Sequence, residues 1–184
     1  AAGATPFLLP LMLQLGFGLS AIQSGALTFV SALGALFMKP VNALILRRFG
    51  FRRVLLANGL LAIASLAAIG PFRPDTSHLV IYAVLFIGGC FRSIQFTSLN
   101  SIAFADLGPD EMSRATSLSS AAQQVSLGLG VTLGATAVAA SMAFRGGTSL
   151  AAADFPPAFL IVAVVSGLSL LVFRRLPADA GAQM

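Results

Sequence analysis

Arg92 interrupts an otherwise apolar run, LVIYAVLFIGGCFRSIQFTSLNSIAF, near its middle. If that run crosses a bilayer, a cation at its centre costs about 3 kcal/mol even on insertion scales. Such a charge must face a cavity or a partner. The chemistry it offers is recognition of a polar or charged group inside the membrane. The plainer alternative is a structural arginine bonded to backbone carbonyls. Ser93, Gln95, Thr97, Ser98, Asn100 and Ser101 follow it. At helical spacing Arg92 and Gln95 lie about 60° apart on one face, and the others form an adjoining polar arc. A helix with that much polar surface must face water or other helices, not lipid alone.

A second polar run is ATSLSSAAQQVSLGLGVTLGATAVAA, with Gln123 and Gln124 near its start. Counted from the cytoplasmic ends assigned below, Gln123 and Gln95 reach similar depth, with Arg92 one turn deeper. The two helices can therefore share one polar patch or simply bond to each other. Ala122, Ser126, Gly130 and Gly134 recur every four residues, a stripe that lets another helix approach closely. Gln14 is the polar residue of the first apolar segment, beside Pro6 and Pro10. Asn42 lies in the second, beside Lys39 and Pro40.

Other chemistries lack their residues. The acids Asp75, Asp106, Asp110, Glu111, Asp154 and Asp179 fall in loops, helix ends or the tail. A proton-coupled step needs a titratable group within the spans, so any such carboxylate is expected elsewhere. Cys90 is the single cysteine and His78 the single histidine. Cys90 reads as a small packing residue. Neither metal-ligand spacing nor a nucleophile, phosphate-binding or dinucleotide motif occurs. The expectation is no cofactor, no metal and no enzyme activity.

The elements that must position these residues follow from composition. Of 184 residues, 57% are hydrophobic and only 9% charged, against about 25% charged in soluble domains. The mean hydropathy is +0.92. That balance excludes a soluble enzyme, a disordered tail and a nucleic-acid partner, and points to an all-α integral membrane protein whose partner is the lipid bilayer. Six apolar segments are legible: residues 5–19, 24–46, 54–70, 79–104, 115–144 and 157–173. The third and sixth carry no charge and can face lipid. The first is short. At 1.5 Å per residue it covers about 22 Å of a roughly 30 Å core. The chain starts at Ala1 rather than Met, with no signal-peptide pattern. The expectation is a bundle entered part-way through its first helix.

Lys39, Arg47, Arg48, Arg52, Arg53, Arg114, Arg174 and Arg175 fall toward one side of these segments, and only Arg73 and Arg145 toward the other. The positive-inside rule makes the first side cytoplasmic, with the C-terminus inside.

The stretches LPLMLQLGFGLSAIQSGALTF, ILRRFGFRRVLL, GCFRSIQFTSLNSIAFADLGPDEMSRATSLSSAAQQVSLGLGV and FRRLPA resemble the C-terminal six-helix half of a major facilitator superfamily transporter. The likeness is greatest to the fourteen-helix multidrug:proton antiporters. The family's loop signature, Gly-x-x-x-Asp-Arg-x-Gly-Arg-Arg, is matched at Arg48, Gly50 and Arg52. Ala43, Arg47 and Phe51 depart from it, which puts the charge latch at this turn in doubt. The resemblance implies a six-helix bundle forming half of that fold, in the plasma (inner) membrane. It implies a substrate path past Gln14, Arg92, Gln95, Asn100, Gln123 and Gln124, and a cytoplasmic gate at Arg47, Arg48, Gly50, Arg52 and Arg53. Its implied partners are the missing N-terminal half, a small amphipathic or drug substrate for export, and a proton as coupling ion. The rival expectation is a structural, self-associating membrane module built on the small-residue stripe.

Overall fold

The computed structural model describes residues 2–104 and 108–176. Asp106, Asp179 and Ala1 lie outside them. The described chain is helical throughout: α1 (Ala4–Leu11), α2 (Ala21–Phe49), α3 (Phe51–Ala67), α4 (His78–Phe104), α5 (Pro109–Phe144), α6 (Phe155–Gly167) and α7 (Ser169–Phe173). Among the described residues four helices are long and apolar enough to cross a bilayer: Ala21–Phe49, His78–Phe104, Glu111–Phe144 and Ala152–Phe173. The last joins α6 to α7 across a bend at Leu168. α3 has 17 residues, at the lower limit of a spanning helix, about 17–25. Ala4–Gly16 is a shorter apolar helix, as its segment length predicts.

Local chemistry sets the boundaries. α1 carries Pro10 and widens into a π turn over Met12–Gly16. Ser20 caps α2 reciprocally: its Oγ accepts from the Gln23 amide at 3.3 Å, and Gln23 Oε1 accepts from the Ser20 amide at 2.9 Å. The long basic turn expected over residues 47–53 is a single residue. Gly50, at φ 76°, divides α2 from α3, and both arginine pairs sit on helix ends. Only glycine takes that backbone region without a steric cost. Pro109 opens α5, and Pro156–Pro157 fall in the first turn of α6, where a missing N–H costs nothing.

Packing gathers the helices into two groups, joined where α3 lies against α6. α4 lies against α2 and α3, while α5 lies against α1 and α6. α1 and the π turn after it bury Ala4, Leu8 and Met12 together with Thr5, Leu9 and Leu13, two rows at four-residue spacing. They meet Phe155, Phe159 and Val162 of α6 in the main core, which Leu66 and Leu85 complete from α3 and α4. A smaller cluster of Leu46, Phe51, Val54 and Ile94 closes the α2–α3 turn. Phe51 thus packs as core where the family signature carries an arginine.

Candidate functional site

The site begins at the crossing of α2 and α4, where the backbones touch. A Cβ on Gly34 would run into the Phe86 carbonyl, and one on Gly89 into the Ser31 carbonyl. Cys90 donates to the Gly34 carbonyl at 3.3 Å, which agrees with a small packing residue. This contact sets Ser31 one turn from Arg92, and the Arg92 guanidinium donates to the Ser31 hydroxyl.

Two buried asparagines lock the rest of α4. Asn42 of α2 donates to Ser93 Oγ at 3.2 Å and Thr97 Oγ1 at 3.0 Å. Asn58 of α3 donates to the Phe91 carbonyl at 2.8 Å and to Gln95 Oε1 at 2.9 Å. The Phe91 carbonyl, which can only accept, fixes the orientation of the Asn58 amide. Both Oδ1 atoms are buried without a hydrogen-bond partner among the described residues. Much of the polar arc on α4 is therefore interhelical bonding. α3 is not simply a lipid-facing helix, because Asn58 and Gly59 point inward.

Beside this crossing opens a cleft of about 700 Å³ between α2 and α4. Its walls are apolar, from Phe29, Leu33 and Leu36 of α2 and from Phe96 and Leu99 of α4. Lys39, Arg92, Gln95 and Thr97 supply its polar groups. Arg92 also lines two neighbouring cavities, one toward α3 and α6 and one toward α1. Lys39 lies ten residues before the end of α2, and Arg92 twelve before the end of α4. Those separations put both cations about 15–18 Å inside their helices. Counted with the cytoplasmic cations in the sequence, Lys39 shares the cleft with Arg92. Its distance from the helix end was the available signal.

The other expected residues are dispersed. Gln123 of α5 donates to Asn100 Oδ1 at 3.2 Å and to Ser119 Oγ at 3.3 Å. The polar bridge between α4 and α5 is therefore Asn100–Gln123, without Gln95. Gln124 is exposed, and so is Gln14 in the π turn at the far end of α1. Half of the small-residue stripe packs. A Cβ on Gly130 would come within 2.9 Å of the Gly3 backbone, and one on Gly134 within 3.2 Å of Leu8. Ala122 and Ser126 remain exposed. At the basic turn, Arg52 donates to the Arg174 carbonyl at 3.1 Å and Arg48 stacks over Phe49. Arg47 and Arg53 are exposed.

One pairing carried no legible sign. Arg145 grips the buried Asp154 with two hydrogen bonds of 2.8 Å, and also donates to the Ser149 carbonyl. Asp154 Oδ2 accepts from the Ala151 amide at 2.8 Å. This is the one ion pair among the described residues, and it clamps the α5–α6 loop. No cluster of metal-ligating side chains occurs among them.

A bundle of apolar helices, four of them long enough to cross a bilayer, with a cation-lined cleft beside them, has the build of a helical membrane protein. The family model of the Major Facilitator Superfamily matches residues 1–183, and the chain belongs to that family. Relatives named multidrug resistance protein MdtD match almost all of it. The Klebsiella pneumoniae protein is 32% identical over 185 residues, covering 98% of this chain and 39% of its own length. The Cronobacter sakazakii protein is 34% identical over 187 residues, covering 97% and 38%. The chain therefore spans well under half the length of these relatives. No solved structure matches it.

Proposed function

We propose that this chain is the C-terminal bundle of a secondary transporter that exports small amphipathic molecules. The observation that carries the reading is the α2–α4 cleft, apolar-walled and about 700 Å³ in volume. That volume falls within the range of small-molecule sites, about 300–1,000 Å³. The relatives' name, multidrug resistance protein, supports export as the direction. Alternating access rocks this bundle against the remainder of the transporter, with Arg92 and Gln95 on the substrate path. Gln14, Asn100, Gln123 and Gln124 complete that path only where the remainder of the protein faces them. Proton coupling rests on a carboxylate outside this chain's spans. The arginine-rich α2–α3 turn lies on the cytoplasmic side, in the inner membrane, with the C-terminus inside.

The test uses the full-length transporter in everted membrane vesicles. Arg92→Ala is expected to abolish proton-driven accumulation of amphipathic substrates while membrane expression persists. Normal accumulation by a well-expressed variant removes Arg92 from the path. A self-associating module is the second reading, on the exposed Ala122 and Ser126. Crosslinks between copies through Ser126→Cys, in vesicles that accumulate nothing, favour it.

A further inference from the structure

The charge balance of the cleft carries an inference about what it binds. Lys39 and Arg92 line one apolar-walled space, and no carboxylate among the described residues lines it with them. Neither cation forms an ion pair with any described residue. Arg92 donates to a neutral hydroxyl, Ser31, and Gln95 is engaged by Asn58. Cations inside a low-dielectric region are unfavourable without an opposing charge. Arg92 is half-buried and Lys39 exposed, and each lies about 15–18 Å from the end of its helix. Phe29, Leu36 and Phe96 offer an apolar body ample contact beside them.

We propose that the α2–α4 cleft is a binding site for anionic amphipaths, with Arg92 and Lys39 taking the carboxylate or sulfonate head and the apolar walls taking the body. This rests on the transporter reading and names its substrate class. A planar guanidinium suits a two-oxygen acid group by bidentate bonding, and a lysine adds a point charge. A cationic drug would meet two like charges here.

The full-length transporter is purified into nanodiscs of neutral phosphatidylcholine, so no anionic lipid competes. Its binding of 4-phenylbutyrate, 4-phenylbutanol and 4-phenylbutylamine is measured by calorimetry at pH 7. The three share one apolar body and differ in head charge. The carboxylate is expected to bind at least about tenfold more tightly than the amine. Arg92→Gln should lower carboxylate affinity about tenfold and change alcohol affinity less than about twofold, and Arg92→Lys should restore part of the loss. Lys39→Gln should act in the same direction more weakly. Preference of the wild type for the amine overturns the proposal, because an acid from the remainder of the protein then neutralises the cleft. Equal loss for all three heads in Arg92→Gln also overturns it, leaving Arg92 as a packing residue. If the variant does not fold, the wild-type order of the three heads decides alone. Vesicles separate this from the transport reading. Export of phenylbutylamine, with phenylbutyrate neither exported nor competing, sinks the anion site and keeps transport. Head-selective binding with no export of any of the three sinks transport and keeps the site.

Discussion

α4 and α5 are both long and rich in polar side chains, yet they meet opposite fates. α4 is held along its length. Its backbone touches α2 at Gly89, and Asn42 and Asn58 engage its polar arc from either side. α5 is held at one end. Gly130, Gly134, Ala137 and Val138 are buried against neighbours, and the Arg145–Asp154 clamp follows them. The preceding turns are exposed, with Leu118 at 73% and Val125 at 62%. Polar residues in a membrane helix therefore do not mark one role. On α4 they are spent mostly on neighbouring helices, and what remains, Arg92, faces the cleft. On α5 most of them stand exposed, and Gln123 is the one bonded to α4 among the described residues.

The largest effect should come from breaking the backbone contact of α4. In Gly89→Val the new side chain meets the Ser31 carbonyl, and overpacking of this kind costs about 3 kcal/mol. The full-length protein should lose monodisperse yield in size-exclusion chromatography. The matched change on α5, Gly128→Val, has nothing within 4 Å of its Cβ and should leave yield intact. Equal losses at the two positions erase the contrast.

The anchored end of α5 comes next. Arg145→Met leaves Asp154 buried without its cation. The Arg145 side chain is 38% exposed, so solvent screening keeps the loss below that of the Gly89 overpacking. Thermal unfolding in detergent should shift down accordingly. Arg145→Met with Asp154→Leu should recover part of it, because no buried charge is then stranded. An unchanged transition in the single variant shows that the loop clamp does not hold α5.

Asn58→Leu tests the lateral hold on α4. It removes two interhelical hydrogen bonds and strands Gln95. Membrane hydrogen bonds average about 0.6 kcal/mol and reach about 1.7, so a loss of about 1 kcal/mol is expected in the same unfolding measurement. No loss means that the glycine contact alone fixes α4.

Periodicity and composition made the helices, their order and the short first segment legible, because those properties are local. Pro156–Pro157 marked the start of α6 for the same reason. What escaped were pairings between distant positions. Asn58 is a polar residue in an apolar run, and its partner Gln95 lies 37 positions away. Gly89 begins a four-residue run of small side chains with Ser93, Thr97 and Ser101, but Gly34 heads no such run, so nothing local paired the two. The stripe at Ala122, Ser126, Gly130 and Gly134 was visible, but only its last two members meet a helix, because α1 crosses α5 near that end. Arg92 stood out since a single buried charge violates the local pattern. Lys39 did not, because it was counted by its side of the membrane and not by its depth.

The smallest expected effect is the most discriminating. Gln123 is the side chain that ties the open half of α5 to α4, through one bond to Asn100 at 3.2 Å, and it is shared with Ser119 on its own helix. A partly buried, divided bond of this kind should contribute less than about 0.6 kcal/mol. Gln123→Ala should therefore leave thermal unfolding of the full-length protein nearly unchanged, while hydrogen exchange over residues 111–129 rises and that over 130–144 does not. If the variant unfolds as early as Asn58→Leu, the two helices are bound to one another as firmly as α4 is to α3. The open half of α5 would then be a fixed wall of the bundle, with no freedom to move against a second half.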